Sequence, residues 1–324
     1  MSLDRRDFIA RTAGATFGAA AGLTRAAAAQ DLHKVHVLEV PTDGAKSVLY
    51  AQKAGLFRKH GIDADIVGMG SGAAIYAAVI GGSADIGSGS LWPVYQAYTR
   101  GLPLRIIAPA SIYSSKHPDG FLLVRKDSPI HEARDLNGKI LGGDAVNDIG
   151  VVSTRAWVDQ HGGDGKSLRT VELKQTEQLE ALDAGRIDAV TLKPPYLTVA
   201  QQSGKFRVLG TPYDAVAPLF LLSCWVATAD YIAKNPDIVN GFVAGLMEAA
   251  HYTNAHEAET IDLVAQFSGQ DPVQLARGLR STTAETITLA EMQAPLDFAY
   301  KWGVITQHFD LSGLIAPSMP LSRR

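Results

Sequence analysis

Ile80-Gly81-Gly82-Ser83-Ala84-Asp85-Ile86-Gly87 and, about 100 residues further on, Ala184-Gly185-Arg186-Ile187-Asp188-Ala189 share one skeleton: a glycine that stops a helix, two residues, an aspartate and an apolar run. Upstream of the first copy, Val35-His36-Val37-Leu38-Glu39-Val40 is a β-branched run that predicts a strand. A loop with Pro41, Asp43 and Gly44 ends it. Val48, Leu49, Ala51, Leu56 and Phe57 then recur roughly at helical spacing, and His60-Gly61 closes that helix, with Gly61 suited to the position after the last turn. Ile62 to Val67 predicts the next strand. Gly68-Met69-Gly70-Ser71-Gly72 turns into a helix over Ala73 to Ile80, and Ala84-Asp85-Ile86 begins a third strand.

The second copy sits in the same surroundings. Lys139-Ile140-Leu141 predicts a strand and Gly142 to Asn147 a loop. Ile149 to Gln160 predicts a helix closed by His161-Gly162. Thr170 to Leu173 is a strand, Gln175 to Ala184 a helix stopped by Gly185, and Ile187 to Val190 a strand. The distances from Gly61 to Gly82 and from Gly162 to Gly185 are 21 and 23 residues. Each half is therefore a β-α-β-α-β unit. Strands alternating with helices pair in parallel, because a helix is the usual crossover. The fixed hand of that crossover puts the loops after the strands on one edge of the sheet, where open sheets bind ligands. Two such units facing one another make a cleft. The fold class expected is α/β and two-lobed, each lobe a mixed sheet flanked by helices. Phe121-Leu122-Leu123-Val124 and Pro218 to Ala227 are strand-like and are taken as the two crossings between lobes. Residues 30–115 and 228–324 are assigned to lobe I, and 116–227 to lobe II. The stretch from Thr228 to about Ala316 reads as mostly helical and is expected to pack back onto lobe I. The tail after Ser312 reads as terminal and mobile.

The 324 residues are 46% hydrophobic and 19% charged, with a net charge of −3, a balance that suggests no nucleic-acid surface. Cys224 is the single cysteine, so no intramolecular disulfide can form; beside Trp225 in an apolar run it reads as a small buried hydrophobe. Residues 1–29 read as an export signal. Arg5-Arg6-Asp7-Phe8-Ile9 is followed by the uncharged, Ala- and Gly-rich Ala13 to Leu23, then Arg25 and Ala26-Ala27-Ala28-Ala29. The arginine pair resembles the twin-arginine motif, although Asp4 and Ala10 depart from it and leave the Sec route open. Cleavage is expected after Ala29, and the mature protein is expected to be soluble in the periplasm. No His-Glu-x-x-His occurs among the nine histidines, so no metal is expected. Gly165-Lys166-Ser167 lacks the earlier glycine of a phosphate loop. Gly68-x-Gly70 lacks the third glycine of a dinucleotide fingerprint, and Gly-x-Ser-x-Gly is absent.

The chain resembles the ABC-importer receptors of the sulfonate, nitrate and taurine type, the NMT1/THI5-like group. The resemblance is carried by Ala54-Gly55-Leu56-Phe57 with His60-Gly61-Ile62, by the glycine–aspartate stretches quoted first, by Asp135-Leu136-Asn137-Gly138-Lys139-Ile140, and by Pro195. It implies a type II periplasmic-binding fold that closes over a small-molecule solute by a hinge motion and docks on an inner-membrane permease. No enzyme activity, cofactor or nucleic-acid partner is implied, and the receptor is expected to be a monomer. Two rivals stay open: an enzyme of the same fold, such as a thiamine-pyrimidine synthase, and a sensor that reports to a membrane kinase. The fungal synthases have clustered cysteines and a cofactor-bearing lysine, which one cysteine does not match.

In such an architecture the loops after the strands present helix N-termini that suit an anion. The ligand-binding candidates are Lys46, Ser71, Gly72, Ser90, Trp92 and Tyr113 from lobe I and its crossing, and Asn147, Asp148, Lys193 and Tyr196 from lobe II. Ser71 and Asp148 can equally serve only as helix caps, Ser90 and Trp92 as turn and packing residues, and Lys46 as a first-turn lysine. Trp92 and the tyrosines suit a planar ligand. Asp43, Asp144 and Asp148 repel an anion unless they cap N–H groups or pair with a base, which leaves the charge of the ligand open.

Overall fold

The β-branched run at the start forms β1 (His33–Glu39), which leads through α1 (Lys46–Lys53) and α2 (Leu56–Lys59) to β2 (Ile62–Gly68). The computed structural model describes residues 32–322; the expected export segment lies outside them. The chain continues through α3 (Gly72–Ile80), β3 (Ile86–Ser90), α4 (Leu91–Thr99), β4 (Leu104–Pro109) and β5 (Ile112–Ser114). The second unit comprises β6 (Phe121–Arg125), β7 (Ile140–Gly143), α5 (Ile149–Gln160), β8 (Arg169–Glu172), α6 (Gln175–Asp183), β9 (Ala189–Leu192), α7 (Tyr196–Ser203) and β10 (Phe206–Gly210). β11 (Leu219–Leu221) and β12 (Ser223–Thr228) bring the chain back. It ends in α8 (Ala229–Lys234), α9 (Pro236–Ala255), α10 (Ile261–Ser268), α11 (Pro272–Arg277) and α12 (Leu289–Lys301).

Two separate five-stranded sheets result, ordered β2-β1-β3-β12-β4 and β8-β7-β9-β6-β10. They are built alike. β1 is parallel to β2 and β3, and β7 is parallel to β8 and β9. β12 is antiparallel to β3 and β4, and β6 is antiparallel to β9 and β10. The fold is α/β and two-lobed, of the type II periplasmic-binding-protein kind. The repeated glycine–aspartate skeleton has a physical cause. The Asp85 carboxylate accepts the His36 N–H of β1 at 2.8 Å, and the Asp85 N–H donates to the His36 carbonyl at 2.9 Å. Asp188 does the same at Ile140 of β7, at 2.8 Å in both bonds. Each aspartate thus fastens the incoming third strand to the first. Gly82 and Gly185 precede it at φ 75° and 70°, left-handed backbone that favours glycine.

Of the two stretches taken as crossings, Phe121–Val124 lies within a sheet, and Pro218–Ala227 divides between β11, which stands between the sheets, and β12, which lies within one. Phe121–Arg125 runs between β9 and β10, and Ser223–Thr228 between β3 and β4. Both are apolar because they are buried on both sides, and composition does not separate that state from an interlobe strand. The chain passes between sheets at β5 and β11, a short antiparallel ladder with Phe220 opposite Tyr113. We place the lobe boundaries in that ladder.

Each sheet is covered on both faces. On one face of the first, Phe57 of α2 stacks on Phe242 of α9 at 4.8 Å, and Trp225 meets Phe242 edge-on at 5.4 Å. The other face packs Ile75, Tyr76 and Val79 of α3 with Met292, Leu296 and Ala299 of α12. Burial of each such large side chain contributes roughly 1.5–3 kcal/mol. In the second lobe Val151, Trp157 and Val158 cover one face, and Ala181, Leu182, Leu197 and Ala200 the other. The C-terminal tail is not loose. The Ile106 N–H donates to Leu314 and the Ala316 N–H to Ile106, and Leu314 is fully buried, so the tail extends the edge of β4. Its Gly, Pro and Ser content reflects turns between anchored apolar residues.

Candidate functional site

The parallel strands of each unit end at one edge, and the loops beyond them form the candidate site. α11 packs on α7, and Gly278 lies so close to Thr198 that a Cβ there would sit 2.2 Å from its hydroxyl.

On the lobe I edge, the loop after β2 ends at Ser71. Its hydroxyl accepts the Ala74 N–H at 3.3 Å and caps α3, leaving Ser71 exposed. Gly72 faces Gly89 of β3 with no room between: a Cβ on Gly89 would lie 2.7 Å from the Gly72 Cα. Ser90 is partly buried, and its carbonyl accepts the Tyr76 hydroxyl at 3.0 Å. On the facing edge, Asn147 is exposed at the head of α5. Asp148 caps that helix by accepting from Val151 at 2.8 Å and from Ala145 at 3.1 Å. Burial pushes the Asp148 carboxyl up to about 6 against those bonds. Lys193 and Tyr196 follow β9 and are partly buried. Asp144 holds the side-chain amides of Gln175 and Gln178 at 2.7 and 2.8 Å.

Three candidates lie elsewhere. Lys46 is fully buried; its ammonium donates to the Ser281 carbonyl at 2.5 Å and sits 3.4 Å from Glu257. Burial holds its pKa below the usual lysine value. Beside it, Asp43 pairs with Arg280 at 2.6 Å and accepts the Ser281 N–H at 2.7 Å. These charges tie the C-terminal segment to the loop after β1 and are engaged with one another, not with the groove. Trp92 is in the core, stacked on Phe298 at 5.8 Å, because the start of α4 points its second residue at α12. Tyr113 is fully buried in the ladder between lobes, and its hydroxyl donates to Asp214 at 2.7 Å. Aromatic character alone did not distinguish a packing ring from a pocket wall.

Two acids at the groove escaped the sequence reading. Glu39, 4% exposed at the end of β1, accepts its neighbour Val40's N–H at 2.8 Å, and burial pushes it up to about 7. Its signal was a charge closing a β-branched run. Asp119, 5% exposed, precedes β6 and lies 3.6 Å from the Lys193 ammonium. Its signal was an acid set between Pro118 and Gly120 ahead of an apolar strand. Among the described residues no group of three or more His, Cys, Asp or Glu side chains could hold a metal ion. Cys224 is fully buried and its thiol is pushed up to about 12, which does not suit a nucleophile.

The sequence pattern of the NMT1/THI5-like family matches residues 45–260. The chain belongs to the NMT1/THI5-like family. Among its relatives, a protein of Brucella abortus (strain 2308) named as a binding protein is 24% identical over 251 residues, 75% of each chain. The aliphatic sulphonate-binding protein SsuA of Escherichia coli has a similar structure, with a TM-score of 0.72, 20% identity, and coverage of 90% of this chain and 94% of SsuA. The desulfurization enzyme DszB also shares the fold, with a TM-score of 0.63, 16% identity, and coverage of 88% and 96%. The fold therefore occurs in at least one binding protein and at least one enzyme. No helix among the described residues is long and apolar enough to cross a membrane.

Proposed function

We propose that this chain is an exported solute receptor: it captures a small organic molecule between its lobes and passes it to the permease of an ABC importer. The observation that carries the reading is the pair of matched sheets, joined by a two-strand ladder, each with its parallel strands ending at one edge. Ligands bind beyond the carboxyl ends of such strands, and contacts to both lobes favour the closed state. Sulfonates, nitrate, pyrimidines and aromatic acids, or molecules of similar size, are the solute classes this fold suggests, and the charges of the site select among them. Ser71, Gly72, Ser90, Asn147, Asp148, Lys193 and Tyr196 line its site. The export segment 1–29 is removed near Ala29, the mature protein works in the periplasm as a monomer, and it needs no cofactor. The family relation to binding proteins supports this reading.

The fold of DszB keeps one second reading in play, an enzyme acting on the same solute. A thermal-shift screen of the mature protein against small organic anions, amines and heterocycles finds the solute, because a specific ligand raises stability by mass action. Mass spectrometry of the incubated hit then separates the readings: unchanged solute supports the receptor, and a converted product supports the enzyme. Deleting the gene should abolish uptake of that solute by the cell; undiminished uptake would count against the transport role.

A further inference from the structure

We infer, building on the receptor reading, that Asp119 accepts hydrogen bonds from an N–H-rich nitrogen group of the solute, an ammonium or amidine, and that a bare oxyanion is not the ligand. Phe121 at the start of β6 pairs with Leu192 at the end of β9, so Asp119 stands at the same sheet edge as Lys193 and the other groove loops. Its side chain is 7% exposed, and neither oxygen has a hydrogen-bond partner among the described residues. Lys193 supplies charge at 3.6 Å, beyond hydrogen-bond distance. An ionised carboxylate has about four lone-pair sites, and leaving a buried one unfilled costs roughly 1–3 kcal/mol or more. Asp119 has little freedom to turn away. A Cβ on the next residue, Gly120, would lie 2.4 Å from the Tyr213 ring, so the backbone there is pressed against a buried aromatic.

The remaining charges of the groove point the same way. Asp144, Asp148 and Asp214 are occupied by amides, backbone N–H groups and hydroxyls. The buried cations of lobe I, Arg280 and Lys46, lie away from the groove, held by Asp43, Ser281 and Glu257. An oxyanion beside Lys193 would meet Asp119 3.6 Å from that ammonium, offsetting its charge, and the other lysine after a strand of this unit, Lys174 at the head of α6, is exposed to water. A donor-bearing cation would find Asp119 on one edge and Glu39, a buried acid, on the other. Bidentate N–H donors from an amidine match the two free oxygens of a carboxylate.

Titration calorimetry on the mature protein with two matched pairs tests this: benzamidine against benzoate, and propan-1-amine against propane-1-sulfonate. The nitrogen member of at least one pair should bind, and about tenfold or more tighter than its acid counterpart. Asp119→Asn should weaken that binding about 10- to 100-fold. Lys193→Met should tighten it about two- to fivefold by removing the competing cation. The idea fails if the acid members bind better, if no nitrogen probe binds, or if Asp119→Asn leaves nitrogen binding unchanged. Should Asp119→Asn not fold, Lys193→Met decides alone, and an unchanged or weakened nitrogen affinity overturns the idea. Tight binding of an acid probe would refute this assignment while sustaining the receptor; uptake unaffected by gene deletion would refute the receptor independently.

Discussion

Glu39 ends β1 with almost no water around it, and the cost appears in its proton affinity. Its carboxyl is raised from 4.5 to about 7 by desolvation. The folded state therefore holds a proton that the unfolded chain has released between those two values. Stability falls as pH rises through that window, and the full penalty is present above pH 7, at about 3 kcal/mol. Glu39→Gln should raise the unfolding midpoint by several degrees at pH 8.5 and change it little at pH 4. Scanning calorimetry at the two pH values checks this, and equal shifts at both would contradict it. The Asp43–Arg280 pair has the opposite character, since both partners are buried and hydrogen-bonded. Arg280→Met should cost about 3–5 kcal/mol by stranding Asp43. Glu257→Gln, at a partner that is 44% exposed, should cost less than about 1 kcal/mol, both read by urea unfolding.

The element scale is where the repeated pattern acts. Asp85 and Asp188 each tie a third strand to a first strand with a matched pair of hydrogen bonds. Asp85→Ala and Asp188→Ala should each destabilise by roughly 1–2 kcal/mol, and the double variant by the sum, because the sites lie in different sheets and share no partner. A marked departure from additivity in urea unfolding would show the two units to be coupled. Gly89→Ala tests the contact of α3 with β3. The added methyl would meet the Gly72 backbone at 2.7 Å, so either α3 shifts or the strand bends. A loss of about 1–3 kcal/mol is expected. Strand and helix positions in both units were legible from β-branched runs and helical spacing, because those patterns are local. The crossings were legible only in part, at β11. Phe121–Arg125 and Ser223–Thr228 are apolar in the way any doubly covered strand is, and which sheet takes them depends on partners far off in the chain.

For the whole molecule, one contact between the C-terminal helices and the second unit lies where Gly278 meets Thr198. Gly278→Cys combined with Thr198→Cys places two thiols across it. Cys224, fully buried with its thiol raised to about 12, should not compete. Oxidation should lock the lobes and slow solute association by an order of magnitude or more, and reduction should restore it; stopped-flow binding reads the difference. Unchanged kinetics in the oxidised form would place solute entry elsewhere. Ser71, Gly72, Ser90, Asn147, Asp148, Lys193 and Tyr196 were legible as residues of the loops and helix starts at the strand ends, because those positions follow from local pattern. Lys46, Trp92 and Tyr113 follow the same rule but turn into interior packing. Asp119 and Glu39 carried only local signals, an acid between Pro118 and Gly120 and a charge closing a β-branched run, which do not mark a site by themselves.

From its residues alone this chain specified two β-α-β-α-β units, the helix-stopping glycines between them and the aspartates that fasten their strands. Those features depend on neighbours a few residues away and on the fixed hand of a parallel crossover. Which strand completes which sheet, which charges cancel in the interior and which acid is left without a donor were settled only by the tertiary structure. Each of those depends on side chains brought together from distant parts of the chain, and on the loss of water that follows when they meet.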